Sequence, residues 1–158
     1  LQEFLIRERA EGPVDGVAFD GIDAAAPTPQ VLEALAAARA IVIGPSNPVI
    51  SIGPILALPG MREALRAAPA PVVAVSPVVG GAVLKGPTAA FLEHAGLPVS
   101  AAGVARAYAG VIDGLLADDG DGVDDIRVAI ADTLMDDAEG RRRVARAALD
   151  LAAAVQQA

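Results

Sequence analysis

The sequence predicts an α/β protein in which a parallel, partly mixed sheet is flanked by helices. Two observations lead there. "AIVIG" at 40–44 and "PVVAV" at 71–75 are short, β-branched, uncharged runs of the kind that parallel strands show when both faces are covered. Each run gives way to a loop rich in Gly, Pro and Ser and then to a stretch of helical length, so the strand-loop-helix unit occurs twice in succession.

Taken in order, "LQEFLIRER" at 1–9 alternates imperfectly between apolar and polar around Phe4, Leu5 and Ile6, which predicts a strand. "VDGVAFDGI" at 14–22 follows a Gly-Pro turn and predicts a second one. Thr28 and Pro29 supply the N-cap and first-turn residues of a helix over about 29–38. After the strand at 40–44, a helix begins near Ile50 or Ser51, with Pro54 tolerated in its first turn, and another fits 60–68. The strand at 71–75 leads into a loop at 76–86, and Pro87-Thr88 open a helix to about Ala95. Beyond Ser100, "AAGVARAYAG" reads as helix and "VIDGLLAD" as strand. An acidic turn at 118–125, a last strand "IRVAIAD" and a long Ala- and Arg-rich helix at 138–156 complete the chain.

Composition narrows the function. With 158 residues and 54% apolar content, one core is accommodated and two full domains are not. A net charge of -8 and 3% aromatic residues disfavour nucleic acid, which needs basic surface and stacking platforms. The uncharged stretch 40–61 is long enough to cross a bilayer, but Pro45, Pro48, Pro54 and Pro59 interrupt any such helix, so no membrane partner is expected. The opening residues mix charge with apolar side chains and do not resemble a signal peptide. The absence of cysteine excludes disulfides and thiol chemistry and fits the reducing cytoplasm.

Ligands of parallel α/β sheets sit beyond the carboxyl ends of the strands. Residues 44–51 fall there: Ser46, Asn47 and Ser51 offer short polar groups, Gly44 and Gly53 permit close backbone approach, and the following helix presents unpaired amides to an anion. The same residues equally suit a tight turn whose Ser and Asn only cap a helix. A helix terminus contributes about 0.3–1 kcal/mol per anionic group, so a phosphate needs a second donor set. Ser76, Gly80, Gly81, Lys85 and Gly86 can supply it. Lys85 is the one lysine beside eleven arginines and stands at a helix entrance, although it equally suits solvated surface.

Other conspicuous residues read as structural. His94 lies late in its helix without a serine elbow, and Asp118, Asp119, Asp121, Asp124 and Asp125 miss the spacing of a calcium loop. Arg141, Arg142 and Arg143 balance the acidic stretch along a helix face, and Asp136 or Asp137 favours the start of the last helix.

Four segments in this order, "GPSNPVISIGPIL" (44–56), "VSPVVGGAVLKGP" (75–87), "SAAGVARAY" (100–108) and "DTLMDD" (132–137), resemble the CofD/FbiA family. These are the 2-phospho-L-lactate or phosphoenolpyruvate transferases of coenzyme F-420 biosynthesis. The resemblance implies a Rossmann-like fold and transfer of a phosphoenolpyruvyl or phospholactyl group from a guanosine diphosphate-type donor to the deazaflavin Fo. GMP is released, with Mg2+ present, and the product is dehydro-F-420-0 or F-420-0. Gly44, Ser46, Asn47 and Ser51 match the first motif and Gly80, Gly81, Lys85 and Gly86 the second, which implies donor binding; no residue is assigned as general base. Family members are roughly twice as long as this chain, and "LQEFLIRERA" is similar to their mid-chain strand. The expectation is therefore the C-terminal half of such an enzyme, incomplete at its N-terminal side. The missing N-terminal half would hold the magnesium ligands, and a homodimer is expected. Arg- and Ala-rich usage points to a high-GC, actinobacterial-type genome and to phosphoenolpyruvate. Two other readings are a non-catalytic nucleotide-sugar-binding regulator of the gluconeogenesis-factor type, whose loop resembles "GPGS", and an inactive structural fragment.

Overall fold

The computed structural model describes residues 1–10, 12–83 and 86–157. Along the chain run α1 (Pro29–Ala37), β1 (Ile41–Ile43), α2 (Gly53–Leu56), α3 (Met61–Ala67), β2 (Val72–Val75), β3 (Val78–Val79) and β4 (Ala82–Val83). Then follow α4 (Thr88–His94), α5 (Ala101–Ala107), β5 (Gly114–Ala117), β6 (Arg127–Ile130) and α6 (Ala138–Gln156). One sheet has the order β1-β2-β5-β6 with parallel neighbours throughout. The antiparallel component expected beside it occurs as a separate hairpin of β3 and β4, inside the stretch that reads as plain loop.

The central strands explain why their sequences are continuously apolar. Val72, Ala74, Leu115 and Ala117 pack into one core with Leu56, Met61, Leu65, Leu92, Val104 and Tyr108 from the helical layer. Their alternates Val73, Val75 and Leu116 meet Val144, Ala148, Leu151 and Ala152 of α6 on the opposite face. With period-2 alternation and cover on both sides, each strand position needs an apolar side chain. Strand β1 departs from this rule: Ile43 is buried, whereas Val42 remains 44% exposed.

Helix starts follow local chemistry. The Thr28, Ser100 and Asp137 side chains accept hydrogen bonds from the amides of Val31, Gly103 and Gly140 at 3.4, 3.3 and 2.6 Å, capping α1, α5 and α6. Each cap satisfies an amide that the helix itself leaves free.

Two predicted strands are corrected. Within 1–9, Glu3–Arg7 form a wide π-type helical turn in which the Glu8 amide donates to the Glu3 carbonyl at 3.1 Å. Arg7 reaches Glu3 at 2.8 Å one turn away, and Phe4 sets its ring edge-on to Phe91, with centroids 5.9 Å apart. Residues 14–22 join no ladder and end in a short helical turn, Ile22–Ala24. Among the described residues neither segment finds a partner strand to receive its backbone groups, so alternation alone does not make it β.

Candidate functional site

Because β1, β2 and β6 are parallel, the loops that follow them leave the sheet at the same edge. Three of these loops line one cavity of about 560 Å³: Pro45, Ser46, Asn47, Ile50 and Ser51 after β1, Ser76 to Thr88 in part after β2, and Thr133 to Asp136 after β6.

The first wall is organised by Asn47. Its Oδ1 accepts from the amides of Val49 at 2.9 Å and Ile50 at 3.1 Å, while its carbonyl accepts from Ser51 and Ile52. Pro48 has no amide to leave unpaired, so the chain enters a helical turn at Pro48–Ile52 that continues into α2. The capping reading of this loop is thus correct for Oδ1. It leaves the other half of the amide over: Asn47 is only 8% exposed, and its Nδ2 has no partner among the described residues. Ser46 and Ser51 are exposed along the same wall, whereas Gly44, at the end of β1, is outside the lining.

On the second wall, Ser76 Oγ is engaged by the Val78 amide at 3.1 Å and the Val78 carbonyl at 3.3 Å, turning the chain into the hairpin. Gly80 and Gly81, with φ of 60° and 71°, form the two-residue hairpin turn, which needs left-handed backbone at both positions. They are therefore at the hairpin tip and not in the cavity lining; the Gly80 amide donates to Asp118 Oδ2 instead. Val79, Val83, Gly86 and Thr88 do line the cavity. Lys85, the predicted point charge, lies outside the described residues. His94 is exposed at the end of α4.

In sequence the third wall reads as a helix entrance within one of the family-like segments, and neither reading gives Thr133 a role. Thr133 is 4% exposed, and its Oγ1 has no hydrogen-bond partner among the described residues. The signal that finds it is positional: it follows an apolar strand, as Ser46 and Ser76 do. Two contacts hold this loop against α6. Arg143 donates to the Asp132 and Leu134 carbonyls at 3.0 and 3.1 Å and pairs with the Asp132 carboxylate at 2.6 Å. Arg143 thus serves this loop and not the acidic stretch 118–125. Gly140 lets the loop approach, since a Cβ there would sit 2.5 Å from the Leu134 carbonyl oxygen.

Asp136 is the one charged side chain among the described lining residues, so the wall offers chiefly neutral donors. Among the described residues, no group of three or more His, Asp or Glu side chains is placed to hold a metal ion. Among them, too, no helix is long and apolar enough to cross a membrane.

The family model described as 2-phospho-L-lactate transferase CofD matches residues 1–148. The chain belongs to the CofD family. Within it, the phosphoenolpyruvate transferase of Streptomyces coelicolor is 42% identical over 166 residues, covering 100% of this chain and 52% of that protein. The phosphoenolpyruvate transferase of Mycolicibacterium smegmatis is 40% identical, with 96% and 49% covered. The 2-phospho-L-lactate transferase of Methanosarcina mazei is 41% identical, with 92% and 50% covered. The chain thus spans about half the length of the curated CofD relatives it matches.

Proposed function

We propose that this chain is the donor-binding, C-terminal half of a phosphodiester-forming CofD transferase. It moves a phosphoenolpyruvyl group from a guanosine diphosphate-activated donor to the ribityl hydroxyl of the deazaflavin Fo. The observation that carries this reading is the meeting of the β1 and β2 loops in one cavity of about 560 Å³, with Ser46, Asn47, Ser51 and Gly86 on its walls. Phosphoenolpyruvate is preferred over phospholactate because several similar relatives are phosphoenolpyruvate transferases and the Arg-rich composition agrees.

In this reading the Fo hydroxyl oxygen attacks the phosphorus that bears the enolpyruvyl group. A new P–O bond forms, the bridging P–O bond breaks, and GMP leaves with the electron pair. Charge builds on the phosphoryl oxygens, and such chemistry is accelerated chiefly by positioning and by fixed donors aimed at those oxygens. Ser46, Ser51 and the Asn47 amide are such donors, and Lys85 is assigned to the same role. The hydroxyl's proton goes to a base that is not among this chain's assigned residues, and magnesium ligands belong to the complementary half. The exposed Val42 on β1 supports such a half, since it leaves apolar sheet surface for another element to cover. The cysteine-free composition supports a cytoplasmic setting.

The test supplies donor, Fo and Mg2+ to the chain, alone and with the separately expressed first half of the Streptomyces coelicolor relative. GMP and the Fo phosphodiester are then quantified by mass spectrometry. Product is expected from the combination, falling at least about tenfold in the Ser46→Ala and Ser51→Ala variants together. Donor binding without any Fo modification in the combination would move the protein to the regulator class. Unchanged turnover in the double variant would remove the site assignment.

A further inference from the structure

The cavity is lined by two polar side chains that are more than nine-tenths buried and lack a partner among the described residues, Asn47 through Nδ2 and Thr133 through Oγ1. They come from loops after β1 and β6, two different walls of the same cavity. The orientation of the Asn47 amide is decided by its surroundings: Oδ1 accepts from two backbone amides at 2.9 and 3.1 Å, so the nitrogen, with two N–H donors and no acceptor capacity, is the end left over. Whatever pairs with it must bring lone pairs. Buried polar groups are otherwise nearly always paired, and leaving one unmade costs more than a made bond contributes.

We infer that the Thr133 hydroxyl, together with the Asn47 amide, is a ligand for a phosphoryl oxygen held between the β1 and β6 loops. This rests on the donor-binding reading above and adds a third loop to it. A phosphoryl oxygen has the several lone pairs that two donors require, and neutral donors suit a wall whose one charged group among the described residues is Asp136. Arg143 and Gly140 act behind Thr133 as positioning residues: the guanidinium grips the Asp132 and Leu134 carbonyls, and the missing Cβ admits the loop.

The probe is inorganic pyrophosphate, titrated into the full chain by calorimetry, with thermal melts of the free protein alongside. Thr133→Val keeps the shape and removes the hydroxyl; it is expected to weaken pyrophosphate binding about tenfold without lowering the melting temperature. Thr133→Ser, which keeps the hydroxyl, is expected to bind within about twofold of the parent, and Asn47→Asp, which replaces the donors with an anion, to bind more weakly than Thr133→Val. If Thr133→Val binds as tightly as the parent while Ser46→Ala binds less well, the inference falls and the donor-binding reading stands. If the parent chain takes up no pyrophosphate at millimolar concentration, both fall.

Discussion

Strand β2 and the opening segment 1–9 both read as strands in sequence, yet they meet water in opposite ways. In β2, Val72, Val73, Ala74 and Val75 are 1, 0, 0 and 3% exposed, with β1 and β5 on its edges and helices over its faces. In the opening segment, Leu1 and Ile6 are 66 and 70% exposed, and Phe4 finds one aromatic neighbour. The opening segment carries Glu3, Arg7, Glu8 and Arg9 among its apolar residues, and it also differs from β2 in its backbone partners. A strand needs another backbone on each hydrogen-bonding edge, and alternation specifies which way side chains face without supplying that backbone.

The comparison breaks most readily at the centre. Leu116→Ala empties a position that is 0% exposed between β5 and α6, and is expected to cost about 2–5 kcal/mol in urea denaturation. A loss under about 1 kcal/mol would show that the two-sided core is not where stability resides. The next largest effect has the opposite sign. Tyr108 is 0% exposed in the core on the sheet's other face, and its hydroxyl has no partner among the described residues, so Tyr108→Phe is expected to raise stability by about 1–3 kcal/mol. Burial also pushes this phenol's pKa well above its ordinary value of about 10. Below pH ~10 the group is neutral in both states and adds no pH dependence. Above it the unfolded chain loses the proton while the folded one keeps it, so stability falls by up to about 1.4 kcal/mol per pH unit. Tyr108→Phe should abolish that alkaline slope in melts taken between pH 9 and 11, and an unchanged slope would assign it elsewhere. Smallest is Ile6→Ala in the opening segment, expected to stay within about 0.5 kcal/mol of the parent in the same denaturation. A cost comparable to that of Leu116→Ala would erase the contrast between the regions.

Much of the fold was legible because its signals were local or came from two-sided burial. Runs at 40–44 and 71–75 could be read as parallel strands, and Thr28, Ser100 and Asp137 marked helix starts by hydrogen bonds that span only three residues. The site was legible in part. "GPSNP" points to the carboxyl edge of the sheet, where the cavity lies, whereas Gly80 and Gly81, expected in the second donor set, have a positive φ that serves the hairpin turn. Thr133 was passed over because "DTLMDD" carries its own local explanation as a capped helix entrance, and only the packing of that entrance beside the β1 loop gives the threonine another surrounding.

By itself, then, the order of residues determined the parallel strands, the capped helices and the loops rich in small polar groups, since each depends on neighbours a few positions away or on burial that leaves a continuous apolar trace. Tertiary structure alone decided that the loop after β6 shares a cavity with the loop after β1, some eighty residues earlier, and that the opening alternation forms no strand. Both outcomes depend on which backbone lies alongside, a relation between distant segments that no local spacing encodes.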